Sequence, residues 1–132
     1  MKRAFKQWLP LVFWIALIFG LSSIPALSTD YKDLPQGFDK LVHFTEYAIL
    51  AVLFYRLFRY NNRRKWWFVS ASVLLVGVSV AALDEMYQSF IPGRDSSILD
   101  VLADSAGIAA GTVVAMARYE RKVPKTDESG LP

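Results

Sequence analysis

The residues with the clearest chemical potential lie in two polar stretches of an otherwise apolar chain. Residues 84–107 (DEMYQSFIPGRDSSILDVLADSAG) combine five carboxylates with Gln88 and Arg94, and they lie between two strongly apolar runs. Residues 39–47 (DKLVHFTEY) add a lysine, two more carboxylates and the single histidine of the chain. Such side chains can ligate a metal ion, transfer protons or bind a phosphate or carboxylate group.

The composition predicts that this polar material belongs to a membrane protein. Of the 132 residues, 54% are hydrophobic, and residues 8–29 and 66–83 contain no charged side chain. A soluble helical bundle would alternate polar and apolar residues at helical spacing, whereas long uncharged runs are typical of membrane spans. The chain has no cysteine, which excludes disulfides, thiolate catalysis and zinc–cysteine sites. We therefore expect one all-α integral membrane domain.

Four stretches have the length and apolarity of transmembrane helices, at about residues 8–27, 39–58, 66–90 and 98–117. The first is longer than the roughly 7–15 apolar residues of a signal peptide. We expect a retained helix that Pro25 bends or ends, although residues 26–28 resemble a cleavage site. The predicted domain covers residues 1–117, and the polar tail, residues 118–132, is expected to be disordered.

Basic residues predict the orientation of this bundle. Three Lys and Arg residues precede the first span, five lie between the second and third, and four follow the last, together 12 of the 15. These flanks share one side, so the positive-inside rule predicts cytoplasmic N- and C-termini in a bacterial cytoplasmic membrane. The basic loop, residues 56–65, is expected to contact anionic lipid headgroups and not nucleic acid.

This topology places the polar residues of three spans at one depth on the extracytoplasmic side. The second span begins there with Lys40, His43 and Glu46, the third ends there, and the fourth begins there. On the fourth span, Asp100 and Asp104 share a narrow stripe with a GxxxG pair, residues 107–111, which lets another helix approach closely. We therefore predict that the second, third and fourth spans surround a polar pocket.

The charge in this pocket needs compensation. Ionisable groups at membrane depth are costly and are therefore functional candidates. So many carboxylates cannot all ionise side by side; either some hold protons or a cation lies among them. No cofactor is evident from the residues, but a divalent metal ion is an open alternative. Its candidate ligands are His43, Glu46, Glu85, Asp100 and Asp104.

Three blocks in this order resemble the signatures of VanZ-like membrane proteins. Residues 40–47 resemble K-x-x-H-F-x-x-Y, residues 84–88 resemble D-E-x-x-Q, and residues 92–111 resemble P-G-R…D…G-x-x-x-G. The resemblance covers residues 39–111. The chain departs from the pattern at Asp104, where many members have asparagine. The resemblance implies an envelope role, because the family's namesake is associated with low-level resistance to the lipid-tailed glycopeptide teicoplanin.

Three functions remain open at this stage. In the first, the pocket binds or modulates an envelope component, such as a lipid-linked cell-wall intermediate or a lipoglycopeptide. The binding candidates are Lys40, His43, Tyr47, Asp84, Glu85, Gln88, Arg94, Asp100 and Asp104. In the second, the protein is a metal-dependent enzyme that acts on a phosphorylated or lipid-linked headgroup. Its catalytic candidates are His43, Glu46, Asp84 and Glu85. In the third, the polar residues only hold the helices in register.

Overall fold

The chain folds into four long α-helices. In the computed structural model, the described residues are 2–25, 37–61, 65–94 and 96–121, and these ranges contain no β-strand. The helices are α1 (Lys2–Ser22), α2 (Phe38–Asn61), α3 (Trp66–Gln88) and α4 (Ile98–Glu120). Each is long and apolar enough to cross a membrane. The predicted all-α bundle of four transmembrane helices is therefore confirmed.

The helix ends differ from the predicted spans by a few residues. Helix α1 begins at Lys2 and ends at Ser22, so the chain leaves the helix before Pro25. Helix α4 continues to Glu120, so the first three residues of the predicted tail are helical. Residues 122–132 of that tail, and Asp95 between α3 and α4, lie outside the described residues.

The surface of the bundle is apolar, as a lipid environment requires. Large side chains such as Leu75, Phe90 and Ile98 are more than two-thirds exposed, while several charged side chains are buried. In a soluble protein, large apolar side chains are mostly buried and charged side chains are mostly exposed. In hydrocarbon, only helices and closed barrels satisfy all of their backbone hydrogen bonds internally. The long helices and the apolar surface are therefore both consistent with a protein embedded in lipid.

Helices α2 and α4 approach each other to backbone contact. A Cβ atom added to Gly107 would collide with the carbonyl oxygen of Phe44, and one added to Gly111 would collide with that of Ala48. Any larger side chain at these glycines would push the two helices apart. The predicted GxxxG seam is thus observed, and it brings the polar face of α4 against the first half of α2.

Helix α1 also packs against the bundle. The Trp14 indole N–H donates to the backbone oxygen of Glu46 (2.9 Å), and the Gln88 amide donates to the Ser22 hydroxyl (3.1 Å). At the opposite end, Arg56 Nε donates to Gln7 Oε1 (2.6 Å). These contacts place α1 against α2 near both of its ends and against α3 near its C-terminal end.

Candidate functional site

One end of the bundle collects the acidic residues of α2, α3 and α4. We call it the carboxylate-rich end and define it by His43, Asp84, Glu85, Asp100 and Asp104. The first half of α2, the last turn of α3 and the first two turns of α4 meet there. The topology predicted that the polar residues of three separate sequence blocks lie at one depth. In the fold these residues are neighbours. Which side of the membrane this end faces stays a prediction.

The centre of this end is a contact between one histidine and two carboxylates. His43 Nδ1 lies 3.1 Å from Asp104 Oδ1 and 3.8 Å from Glu85 Oε1. The side chains of Asp104 and Glu85 are 0% and 6% exposed, and that of His43 is 13% exposed. One ligand atom from each of the three residues lies within 4.8 Å of the other two. Helices α2, α3 and α4 each contribute one member of this set.

Local structure at the start of α4 holds Glu85 in place. Ser97 has an extended backbone and caps α4, because its side chain accepts a hydrogen bond from the Leu99 N–H (3.1 Å). The Ser97 backbone N–H in turn donates to Glu85 Oε2 (3.2 Å). The cap therefore fixes one oxygen of Glu85 and leaves the other facing His43.

A second chain of hydrogen bonds runs from α2 through α3 to α1. The Tyr47 hydroxyl donates to Asp84 Oδ2 (3.3 Å), and the Gln88 amide donates to the same oxygen (3.1 Å). Gln88 also donates to Ser22 (3.1 Å). Sequence reasoning missed Ser22, because it lies outside the motif blocks and nothing in its local pattern separates it from the other small residues of α1.

Two cations lie at this end. Lys40 Nζ contacts Asp39 (2.9 Å) and Asp100 (3.0 Å), and its side chain is 36% exposed. Arg94, in the turn after α3, has a buried Nε that finds no hydrogen-bond partner within the described ranges. Two acidic residues follow Arg94 closely in the sequence, Asp95 and Asp100. Asp95 lies outside the described residues, and Asp100 bonds to Lys40.

Glu46 lies at the edge of this cluster and not in its centre. It interacts electrostatically with His43, Asp84, Asp104 and Arg94. It also borders a groove of about 270 Å³ between α1 and α2, whose other lining residues are Trp14, Phe38, Leu41, Val42, Thr45 and Ile49. Of the five metal candidates from the sequence, the structure groups His43, Glu85 and Asp104; Glu46 and Asp100 are not in that set.

Several buried polar atoms at this end have no partner among the described residues. They are Asp84 Oδ1, Glu85 Oε1, Asp104 Oδ2 and Arg94 Nε. Buried polar atoms in folded proteins nearly always have a hydrogen-bond partner, so each such atom calls for an explanation. A bound ion or headgroup could supply the partners that these three carboxylate oxygens and this guanidinium nitrogen lack among the described residues.

The sequence that forms these helices and carries these motif residues matches the model of a known family. A family model described as VanZ/LLP1 matches residues 2–119. The chain belongs to the VanZ/LLP1 family. The VanZ-like resemblance of the motif blocks is thereby confirmed, and the match extends from those blocks to α1.

Among curated proteins, this VanZ/LLP1 member is similar to an uncharacterized protein of Schizosaccharomyces pombe. The two are 26% identical over 116 residues, which are 86% of this chain and 66% of the relative, so the chain spans just under two-thirds of the relative's length. No solved structure matches the chain at a comparable significance. Because the relative is not bacterial, family membership alone does not place this protein in a bacterial membrane.

Proposed function

We propose that this VanZ/LLP1 protein binds the anionic headgroup of an envelope amphiphile at its carboxylate-rich end. The observation that carries the proposal is Arg94, whose buried Nε has no hydrogen-bond partner in the described part of the chain. A guanidinium presents a planar set of donors that matches a phosphate or carboxylate, and a buried donor without a partner is costly. A bound headgroup would remove that cost.

The neighbouring charges define how a headgroup would approach. Lys40 offsets Asp39 and Asp100 at the rim, and His43 contacts Asp104 inside. Arg94 and Lys40 are therefore the cationic side chains that an anion could contact at this end. Lys40 is about one-third exposed, so it can reach a headgroup without losing its place beside Asp100.

The groove beside Glu46 supports an amphiphilic ligand over a fully soluble one. Its lining is mostly apolar, and Leu41 and Phe38 are partly exposed where the bundle meets lipid. Glu46, which interacts electrostatically with Arg94, borders the same groove. A headgroup at Arg94 could thus be joined to an apolar tail that lies between α1 and α2. A lipid-linked cell-wall intermediate and a lipoglycopeptide both consist of a polar headgroup joined to an apolar tail.

The predicted orientation supports an extracytoplasmic site. The described basic residues of the flanks, such as Arg56, Arg59 and Arg118, lie at the opposite end of the bundle, so the positive-inside rule predicts that the carboxylate-rich end faces the extracytoplasmic side. A reporter fused in the turn near Arg94 should be accessible only from outside. Accessibility from the cytoplasm would contradict the extracytoplasmic part of the proposal.

Binding is tested with protein in lipid nanodiscs and two probes, a polyprenyl diphosphate and teicoplanin. We expect the wild type to bind at least one of them, and Arg94→Ala to weaken that affinity by about 10-fold or more, since a charge-assisted contact contributes about 1.5–3 kcal/mol. Arg56→Ala, at the other end, is the matched control and should bind normally.

The same assay separates the other functions. Equal affinity of the wild type and Arg94→Ala would contradict the proposal. If neither probe binds while Arg94→Ala lowers the thermal stability of the protein, the polar cluster has a structural role. Release of inorganic phosphate from the diphosphate probe would instead favour the enzymatic alternative.

A further inference from the structure

We propose that His43, Glu85 and Asp104 bind one divalent transition-metal ion inside the carboxylate-rich end. The inference deepens the headgroup proposal, since the ion would add a positive contact behind Arg94. It stands on observations of its own, however, and its test uses no headgroup. A failure of the metal site is thus distinguishable from a failure of headgroup binding.

The donor atoms are already spaced for one ion. His43 Nδ1 is 3.1 Å from Asp104 Oδ1 and 3.8 Å from Glu85 Oε1. Metal–ligand bonds of about 2.0–2.1 Å in tetrahedral geometry place neighbouring donors roughly 3.3 Å apart. The observed distances lie on either side of this value, so small side-chain adjustments would complete the coordination.

A second observation points to a ligand at this position. Asp104 is 0% exposed and Glu85 is 5% exposed, yet Asp104 Oδ2 and Glu85 Oε1 have no hydrogen-bond partner among the residues described. Desolvated carboxylate oxygens are strongly unfavourable unless a cation or a donor satisfies them. A divalent ion bound by Glu85 Oε1 and Asp104 Oδ1 would neutralise both carboxylates and satisfy Glu85 Oε1, and bidentate binding by Asp104 would satisfy its Oδ2 as well.

The surrounding residues hold the ligands from outside, as in known metal sites. The Ser97 backbone N–H holds Glu85 Oε2 at 3.2 Å, which leaves Oε1 directed at His43. Such outer hydrogen bonds fix the orientation of the ligands before a metal binds.

The donor set indicates the class of metal. One imidazole nitrogen with two carboxylate oxygens suits Zn²⁺ or Mn²⁺, whereas Mg²⁺ and Ca²⁺ prefer oxygen ligands alone and Cu⁺ prefers sulfur. Zn²⁺ binds more tightly than Mn²⁺ to a given site, so we expect Zn²⁺ to be retained better. Three protein ligands also leave a fourth position for water or a ligand oxygen.

The direct test measures metal bound to the full chain, purified in detergent through a tag without histidine. After incubation with ZnCl₂ and removal of free metal, the wild type should retain about one ion per chain, as expected for a single set of three protein ligands. His43→Ala and Asp104→Asn should bind Zn²⁺ at least about 100-fold more weakly, because even outer-shell changes cost about 10–100-fold. Glu120→Gln, a carboxylate change at the opposite end, should bind as the wild type does.

The single histidine of the chain gives an independent readout. In protein labelled with ¹⁵N-histidine, Zn²⁺ should shift the imidazole resonances of His43, and Glu85→Gln should abolish the shift at the same Zn²⁺ concentration. Glu85→Gln keeps the shape of the side chain, so it also serves if His43→Ala fails to fold. A folded wild type that retains less than about 0.1 ion per chain, or variants with wild-type affinity for Zn²⁺, would overturn the proposal.

Discussion

Each end of the bundle joins α2 to α4 through a carboxylate on α4, but among the described residues only the carboxylate at one end, the basic end, has a partner for both of its oxygens. At the basic end, which we define by Gln7, Tyr55, Arg56, Arg59 and Glu120, the Arg59 guanidinium contacts both oxygens of Glu120 at 2.9 Å. The Tyr55 hydroxyl adds a third bond of 2.9 Å to the same carboxylate. Both oxygens of Glu120 are therefore satisfied.

At the carboxylate-rich end, the contact between α2 and α4 is the pair His43–Asp104, and it leaves Asp104 Oδ2 without a partner in the described chain. Glu85, brought in by α3, also keeps one free oxygen. Glu120 already supplies a complete polar contact between α2 and α4, through Tyr55 and Arg59. The difference is that the carboxylate-rich end contains buried carboxylate oxygens that no contact among the described residues satisfies.

The largest effect is expected at the seam that both ends share. Alanine in place of Gly107 would put a Cβ against the Phe44 carbonyl oxygen. The added methyl group favours an isolated helix by about 1 kcal/mol, but overpacking of a helix interface costs about 1–3 kcal/mol or more. We expect a net loss of about 2 kcal/mol in the free energy of unfolding in detergent, and a larger loss for Gly107→Leu.

Gly20→Ala is the matched control for this prediction. Gly20 lies in α1, and an added Cβ there meets no atom within 4 Å. Because only the helix propensity changes, this variant should be as stable as the wild type or slightly more stable. Equal effects of Gly107→Ala and Gly20→Ala would show that the seam does not hold the two ends together.

A pair of carboxylate-to-amide changes tests the contrast between the ends directly. Glu120→Gln breaks a completed network whose side chains are about one-fifth exposed, so we expect a loss of about 1–2 kcal/mol in unfolding free energy. Asp104→Asn removes a buried charge that lacks full compensation. Asparagine keeps an oxygen that can accept a hydrogen bond from His43 and removes one of two neighbouring carboxylates. In metal-free buffer we therefore expect the variant to remain within about 0.5 kcal/mol of the wild type, or to be more stable.

Thermal and denaturant unfolding of both variants, each with and without Zn²⁺, would measure this contrast. Zn²⁺ should stabilise the wild type and Glu120→Gln but not Asp104→Asn, since a ligand stabilises only the state that binds it. If Asp104→Asn is the more damaging change in metal-free buffer, both ends are structural and the contrast between them is wrong.

Most of the fold was predictable from the sequence because hydrophobic length and charge placement are local signals. Uncharged runs predict the spans, and the GxxxG pair predicts where α2 and α4 touch. The predicted positions of the ends of α1 and α4 were less accurate. Glu120 was assigned to the tail because a charged residue ends a hydropathy window, whereas in the fold its partners Tyr55 and Arg59 keep the last turn helical.

The membership of the site was predictable only in part. Helical periodicity gives the face of each residue, so Asp104 and His43 were expected inside. It gives no information on the rotation and height of one helix against another, which decide that Glu85 reaches His43 while Asp100 reaches Lys40. The contact of Ser22 with Gln88 depends on how α1 packs against the bundle. None of the sequence motifs predicts that packing.

The smallest effect is expected where α1 meets the carboxylate-rich end at its surface. The hydroxyls of Ser23 and Tyr87 share an exposed hydrogen bond of 2.9 Å, and water can replace either partner there. Tyr87→Phe should therefore change the unfolding free energy by about 0.5 kcal/mol or less. Gln7→Ala, which removes the 2.6 Å contact with Arg56 at the basic end, should cost more, about 1 kcal/mol. If Tyr87→Phe proved the costlier change, the docking of α1 would depend on the carboxylate-rich end, and polar groups there would stabilise the fold after all.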